Sequence, residues 1–300
     1  MEYDDAVAAF FTPSPAGVTP RPVADGSTAR RLRDAIEPIA MHSVWSRTVN
    51  AALADEGLNF LTGYVWGRAA LLGEPTSGTA AATFAVFEPA MVDAVLSEGR
   101  AACSRDRMVS VRDESTIRSL TDVLAGADVN EVATALRNAV GDVSGVGRPL
   151  FSGLRDQAWP DSAVGVLWRS CELLREHRGD GHVAVCTSRG LDAITMNILT
   201  ELWVGMPLGS YTATRGWQPE AIESRAAKLR AAGWLNGDQL SAAGRQIRDD
   251  IEATTDDLQA EIVERLGADV DAVISALQDW STRCVEAGAF PPDAYKRAAG

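Results

Sequence analysis

Residues 215–258 read RGWQPEAIESRAAKLRAAGWLNGDQLSAAGRQIRDDIEATTDDL. Pro219 suits the first turn of a helix, where its missing N–H leaves no bond unmade. Ile222, Ala226 and Leu229 recur at helical spacing and give that helix one apolar stripe. Trp234-Leu235 and Gln239-Leu240 are too short for more than a small hairpin, and Asn236-Gly237 between them favours a tight primed turn. Ser241 then caps a long helix lined by Ile247, Ile251, Leu258, Ile262 and Leu266. Helix, hairpin and helix in that order form a winged helix-turn-helix pattern. The chain is therefore predicted to be mainly α, with a small β-hairpin wing.

Working outward, Leu191, Ile194, Ile198 and Leu202 define a preceding helix, and Leu167, Cys171 and Leu174 one before that. Between them, residues 175–182 (REHRGDGH) read as an inter-helix turn, with Gly179 as a left-handed cap and Asp180 capping the next helix. Ser27 caps a helix bearing Leu32, Ile36 and Ile39, which Pro38 should kink or end. The run 58–73 (LNFLTGYVWGRAALLG) is apolar enough to be buried on most sides. Residues 104–114 are polar and charged and read as a loop, with helices at about 115–125 and 129–140. Val273, Leu277 and Trp280 mark a closing helix. A weak repeat relates Leu61-Thr62, Gly73 and Phe87-x-Pro89-x-x-Val92 to Leu199-Thr200, Gly209 and Trp217-x-Pro219-x-x-Ile222. It predicts two related winged-helix-like halves, 28–150 and 151–287, joined near a Gly/Pro-rich stretch at 141–153. Residues 1–27, with Pro13, Pro15, Gly17, Pro20, Pro22 and Gly26, and residues 288–300 read as flexible or docked tails.

Three hundred residues, 46% of them hydrophobic, can bury a large core. The 28 basic and 41 acidic side chains leave a net charge of −13. That matters because affinity for nucleic acid comes largely from Lys and Arg displacing counterions. With Ile222, Ala226 and Leu229 buried, the opposite face of their helix carries Glu220, Ser224, Ala227 and Ala231, with Lys228 on its flank. Residues 241–269 hold three arginines against eight acids. The hairpin tip, Asn236-Gly237-Asp238, has no cation for a minor groove. Nucleic acid is an unlikely partner on these grounds. Cys103, Cys171, Cys186 and Cys284 are scattered without metal spacing, so no metal is expected. The acidic N-terminus does not resemble a signal peptide, and no stretch of 18 apolar residues suits a membrane. A cytoplasmic protein with no membrane partner is expected.

His177, Asp180 and His182 lie in the densest polar cluster. Histidine beside a carboxylate is the usual general acid–base pair, although an inter-helix turn tied by arginine and aspartate explains the same string. Arg68, inside an apolar run, needs a carboxylate or a ligand anion. Trp66, Phe84, Phe87, Trp203 and Trp217 lie near the two turns, as core or as walls of a ligand cleft; Arg178 is a further ligand candidate. No phosphate-binding glycine loop or nucleophile elbow is present, so no nucleotide cofactor, and no cofactor of any kind, is expected. Three readings follow. The first is a protein that binds or transforms a small organic metabolite between the halves. The second is a DNA-binding regulator using Arg215, Arg225, Lys228 and Arg230, as a homodimer through the 242–266 helix. The third is a non-catalytic interaction module.

The strings GYVWGRAALLG, ATFAVFEP, VGRPL, LLREHRGDGHVA, RGW before a helix, and LSAAGRQIRDDIEATTDDL together resemble a large actinobacterial helix-turn-helix family over residues 30–285. LREHRGDGH is the most specific of them. The resemblance implies a mostly helical winged-helix protein and no one shared activity; specialised-metabolite biosynthesis is an expectation from family habit. The family pattern reads GYFxGRAAPLG, where this chain has Val65-Trp66 and Leu71-Leu72. It also has a histidine after the Glu-Pro pair, where Ile39-Ala40 follows Glu37-Pro38. These departures near Arg68 point to a specialised ligand.

Overall fold

The computed structural model describes residues 1–11, 20 and 26–299. Chain order begins with α1 (Tyr3–Phe10), α2 (Thr28–Ala40), α3 (His42–Trp45), α4 (Arg47–Asp55) and α5 (Phe60–Ala69). Then come α6 (Ser77–Phe84), α7 (Pro89–Ala102), α8 (Arg105–Val123), α9 (Asn130–Gly141) and α10 (Pro149–Arg155). A 26-residue helix, α11 (Ala163–Ser188), follows. The expected helix-turn-helix is α12 (Ala193–Val204), a 3-10 turn at Thr212–Arg215, and α13 (Pro219–Ala231). The wing is β1 (Leu235–Asn236) antiparallel to β2 (Gln239–Leu240), and α14 (Ala242–Asp257), α15 (Ala260–Leu266), α16 (Val270–Glu286) and α17 (Ala294–Ala299) complete the chain.

The local signals explain much of this. Ser27 accepts the Arg30 N–H and Ser241 accepts the Gly244 N–H, as expected of N-caps. Ile222, Ala226 and Leu229 are buried under α13. Asn236 pairs with Gln239, so the two loop residues are Gly237 and Asp238, one position later than Asn-Gly chemistry suggests. Gly237 supplies the positive φ (59°) that this turn needs.

Several expectations are overturned. Residues 175–182 are not a turn: α11 runs straight through them. Glu176, His177, Arg178 and Asp180 are all buried there, and tertiary partners outweigh the cost of two helical glycines. The loop expected at 104–114 is the first half of α8, which Ser104 caps and Met108, Val111 and Arg112 bury. The 242–266 helix breaks after Asp257, and Ile251, Ile262 and Leu266 pack into the protein's own core. These three residues of the predicted stripe are therefore covered within the chain, whereas Leu258 is 38% exposed.

The core is continuous across the stretch near 150. One apolar cluster joins Leu120, Leu136 and Leu154 to Leu167, Leu174, Ile274 and Leu277. Helix α7 opens on Pro89 as α13 opens on Pro219, but α8 rather than a hairpin follows it. Among the described residues the one sheet is β1–β2, so the N-terminal half has no wing. Both tails contain helices. Tyr3 of α1 donates its hydroxyl to the Trp45 carbonyl at 2.7 Å, and Ala298 and Ala299 of α17 are buried. Pro13, Pro15, Gly17 and Pro22, read as tail, lie outside the described residues. Among the described residues no helix is long and apolar enough to cross a membrane.

Candidate functional site: an arginine cleft beside the helix-turn-helix

A cleft of about 150 Å³ lies between α2, α5, the α6–α7 connection, α11 and α12. Seven arginines line it: Arg30 and Arg33 from α2, Arg68 from α5, Arg175 and Arg178 from α11, Arg215 from the 3-10 turn, and Arg248 from α14. Two acids, Glu176 and Asp180, also reach its surface. Six of the seven are ion-paired with Asp34, Glu37, Glu176, Glu252 or Asp256, and Arg215 is the exception. Tyr64, Phe84, Phe87 and Tyr211 supply aromatic walls.

Carboxylates behind the walls hold most of these guanidiniums. Glu252 accepts from Arg30 at 2.9 Å, Arg178 at 2.6 Å and Arg248 at 2.7 Å. Burial opposes its charge, but Arg248, Arg178 and Arg30 together hold its pKa well below the carboxylate range. Arg175 donates to Glu37 and Glu176, and Arg68 donates to Glu176 at 2.7 Å. Burial likewise opposes ionisation of Glu176, and Arg68 and Arg175 reverse that to a lowered pKa. The Arg30 side chain also donates to the Ala298 carbonyl at 2.6 Å, and that of Arg33 to the Arg297 carbonyl.

Arg215 is different. Among the described residues no carboxylate is recorded in an ion pair with it; Nη1 donates to the Thr214 hydroxyl at 2.9 Å. Its guanidinium lies 4.0 Å from the centre of the Tyr211 ring and 5.1 Å from that of Phe87. The buried Nε atoms of Arg68, Arg178, Arg215 and Arg248 all lack a hydrogen-bond partner. Arg100 and Arg169, outside the cleft, also have unpartnered Nε atoms, so it is the grouping of four around one cavity that sets this region apart.

Two local devices aim these groups. Glu201, fully buried at the end of α12, accepts the N–H groups of Gly209 (2.6 Å), Tyr211 (2.9 Å) and Thr212 (2.9 Å) and so shapes the turn that carries Arg215. Across the cleft, Ala85 has φ 58°, the one positive φ of a non-glycine among the described residues. The next residue, Val86, offers its carbonyl to Asn197 Nδ2 (2.8 Å) and Trp217 Nε1 (2.9 Å), which sets Phe84 and Phe87 on the cleft wall.

Of the residues singled out from sequence, Arg68, Phe84, Phe87, Arg178, Asp180 and His182 reach the cleft. His177 does not: its Nδ1 meets Gln259 Oε1 at 3.1 Å and its ring stands edge-on to Phe151. Trp66 is buried away from it, donating to the Cys103 carbonyl. Trp203 donates to Asp249 and lies under Arg248 and Arg30, behind the wall. Trp217 clamps Val86 from outside. The three proposed acid–base groups face different neighbours, since Asp180 accepts the Phe151 N–H at 2.9 Å and His182 Nδ1 meets Thr255 Oγ1 at 3.2 Å. Burial pushes Asp180 up to about 7, His177 down to about 4 and, with Arg248 adding to it, His182 down to about 3. Among the described residues these three groups form no histidine–carboxylate pair.

The alternative DNA-contact set is also dispersed. Arg225 pairs with Asp192, and Arg230 with Glu223 and Asp238 at 2.6 and 2.8 Å. Lys228 is exposed, beside exposed Glu220, Glu223, Ser224 and Ala227. Arg215 belongs to the cleft and not to α13. Sequence reasoning missed Arg30, Arg33, Arg175, Arg248, Tyr64 and Tyr211. The available signal was RRLRD at 30–34, where arginines fall on the buried side of an amphipathic helix.

No curated protein and no solved structure matches the chain. Residues 29–291 match the model of a helix-turn-helix family, and the chain belongs to that family.

Proposed function

We propose that this protein uses a helix-turn-helix scaffold to bind a small organic anion in the arginine cleft. The observation that carries the reading is the convergence of seven arginines on one cavity, with Arg215 lacking a carboxylate and four Nε–H groups lacking acceptors. A bidentate oxyanion is the natural complement of guanidinium donors. The aromatic walls favour a ligand with an unsaturated or apolar body. Family membership keeps a DNA-binding regulator in view, but the acidic exposed face of α13 and the internally paired Arg225 and Arg230 argue against phosphate contact.

Titration with benzoate, phenyl phosphate and their neutral counterpart benzamide tests this. At least one anion should bind at least tenfold more tightly than benzamide, and Arg215→Met should remove most of that preference. Equal binding of benzoate, phenyl phosphate and benzamide, or binding of none of them, would overturn the proposal.

A further inference from the structure

A second cavity of about 100 Å³ lies on the far side of Arg215, between α1, α3, α5 and the segment before α17. Its walls are chiefly apolar. Phe10 stacks edge-on against Trp45 at 5.5 Å, Trp45 lies 5.2 Å from Phe60, and Phe290 and Leu61 close the sides. This chamber and the arginine cleft share five lining residues: Tyr64, Phe87, Arg175, Tyr211 and Arg215. They form one partition, polar on the cleft side and aromatic on the other. Arg215 stands in it with an unpartnered Nε and with its guanidinium faces against Phe87 and Tyr211. Away from the partition, Glu37, Thr214 and Lys296 are the polar groups of its lining, so most of the wall offers an ion no contact. The chamber gains from an apolar group whose charged end reaches the partition.

We infer that cleft and chamber together form one site for an amphipathic organic acid, with its oxyanion at Arg215 and its hydrocarbon or aromatic body among Phe10, Trp45 and Phe60. This rests on the anion-binding reading and adds the class of ligand. Lys296 supports it from the chamber side. Its ammonium lies 4.3 Å from the centre of the Phe10 ring, and burial, followed by the charge of Arg215, lowers its pKa to about 8. A ligand carboxylate near Arg215 would relieve that repulsion. The site is then closed by α1 and α17, the two helices nearest the ends of the described chain.

The test is a homologous series of straight-chain carboxylates, butanoate to decanoate, titrated against the full chain by calorimetry and by tryptophan emission. Each buried methylene should tighten binding roughly threefold to fourfold, so octanoate, with four more, should exceed butanoate by about 80- to 250-fold. Octanol, without the acid, should bind at least tenfold more weakly than octanoate. Val44→Trp fills the chamber from α3; it should abolish the chain-length dependence and leave butanoate binding intact. If butanoate and octanoate bind equally to the wild type, the chamber proposal is wrong while the anion-binding reading stands. If no carboxylate binds, the chamber proposal falls, and the anion-binding reading falls with it only if phenyl phosphate does not bind either.

Discussion

Asp180 and His182 face the same cleft two residues apart, and burial moves their titrations in opposite directions. Asp180 keeps its proton to about pH 7 in the folded state and loses it near 4 when unfolded. Its contribution is full below pH 4 and is lost as pH rises to 7. His182 is neutral above about 3 when folded and above about 6.5 when unfolded, so its contribution is full above pH 6.5 and is lost as pH falls. Relative to wild type, Asp180→Asn should therefore gain about 2–3 kcal/mol on moving from pH 5 to pH 8, and His182→Gln should gain about 1–2 kcal/mol on moving from pH 7 to pH 5. Urea unfolding at the three pH values measures both. Glu252 is the other decisive residue, since Arg30, Arg178 and Arg248 converge on it. Glu252→Gln should cost about 3–5 kcal/mol by leaving buried guanidiniums without their shared anion, read as a lowered denaturation midpoint.

Among the elements, α11 joins the parts of the fold. It packs on α2, α9, α10 and α14 and carries Arg175, Arg178, Asp180 and His182 to the cleft. Its glycines are helical. A methyl group at Gly179 would come no nearer than 4.0 Å to Glu176 Oε2. Gly179→Ala should therefore raise stability by about 0.5–1 kcal/mol, whereas a left-handed cap would make the same change destabilising. Thermal melts separate the two signs. The wing has less freedom. A Cβ at Gly244 would lie 2.1 Å from the Trp234 carbonyl oxygen, so glycine there lets α14 approach the hairpin.

The whole molecule combines an acidic surface with a basic interior cleft. Duplex DNA at physiological salt should show no retardation at micromolar protein, because α13 and the wing tip present carboxylates and one free lysine. A sequence-selective shift would overturn that expectation. The chain ends matter at this scale too. Removing residues 294–299 takes the Ala298 and Arg297 carbonyls from Arg30 and Arg33, and the Ala299 carbonyl from the Tyr211 hydroxyl. A loss of about 2–4 kcal/mol is expected, with the far-UV helical signal nearly unchanged. That combination would mark α17 as a clasp over a fold that stands without it.

Short-range chemistry settled the helix-turn-helix from sequence alone: Pro219 at a first turn, the Ile222–Leu229 stripe, Gly237 in a two-residue turn and Ser241 as a cap act within a few residues of themselves. Arg68, Phe84, Phe87 and Arg178 were legible as candidates because a charge or ring in an apolar setting needs a partner. The partners themselves were not legible. Arg30 and Glu252 are 222 residues apart, Arg68 and Glu176 are 108, and Tyr3 reaches Trp45 across 42. Gly179 read as a stop because local propensity ends a helix there, and only packing on four neighbouring helices carries α11 through it. The tails became walls for the same reason: helices of six and eight residues do not hold alone in water, and the core they dock against exists only once the chain has folded.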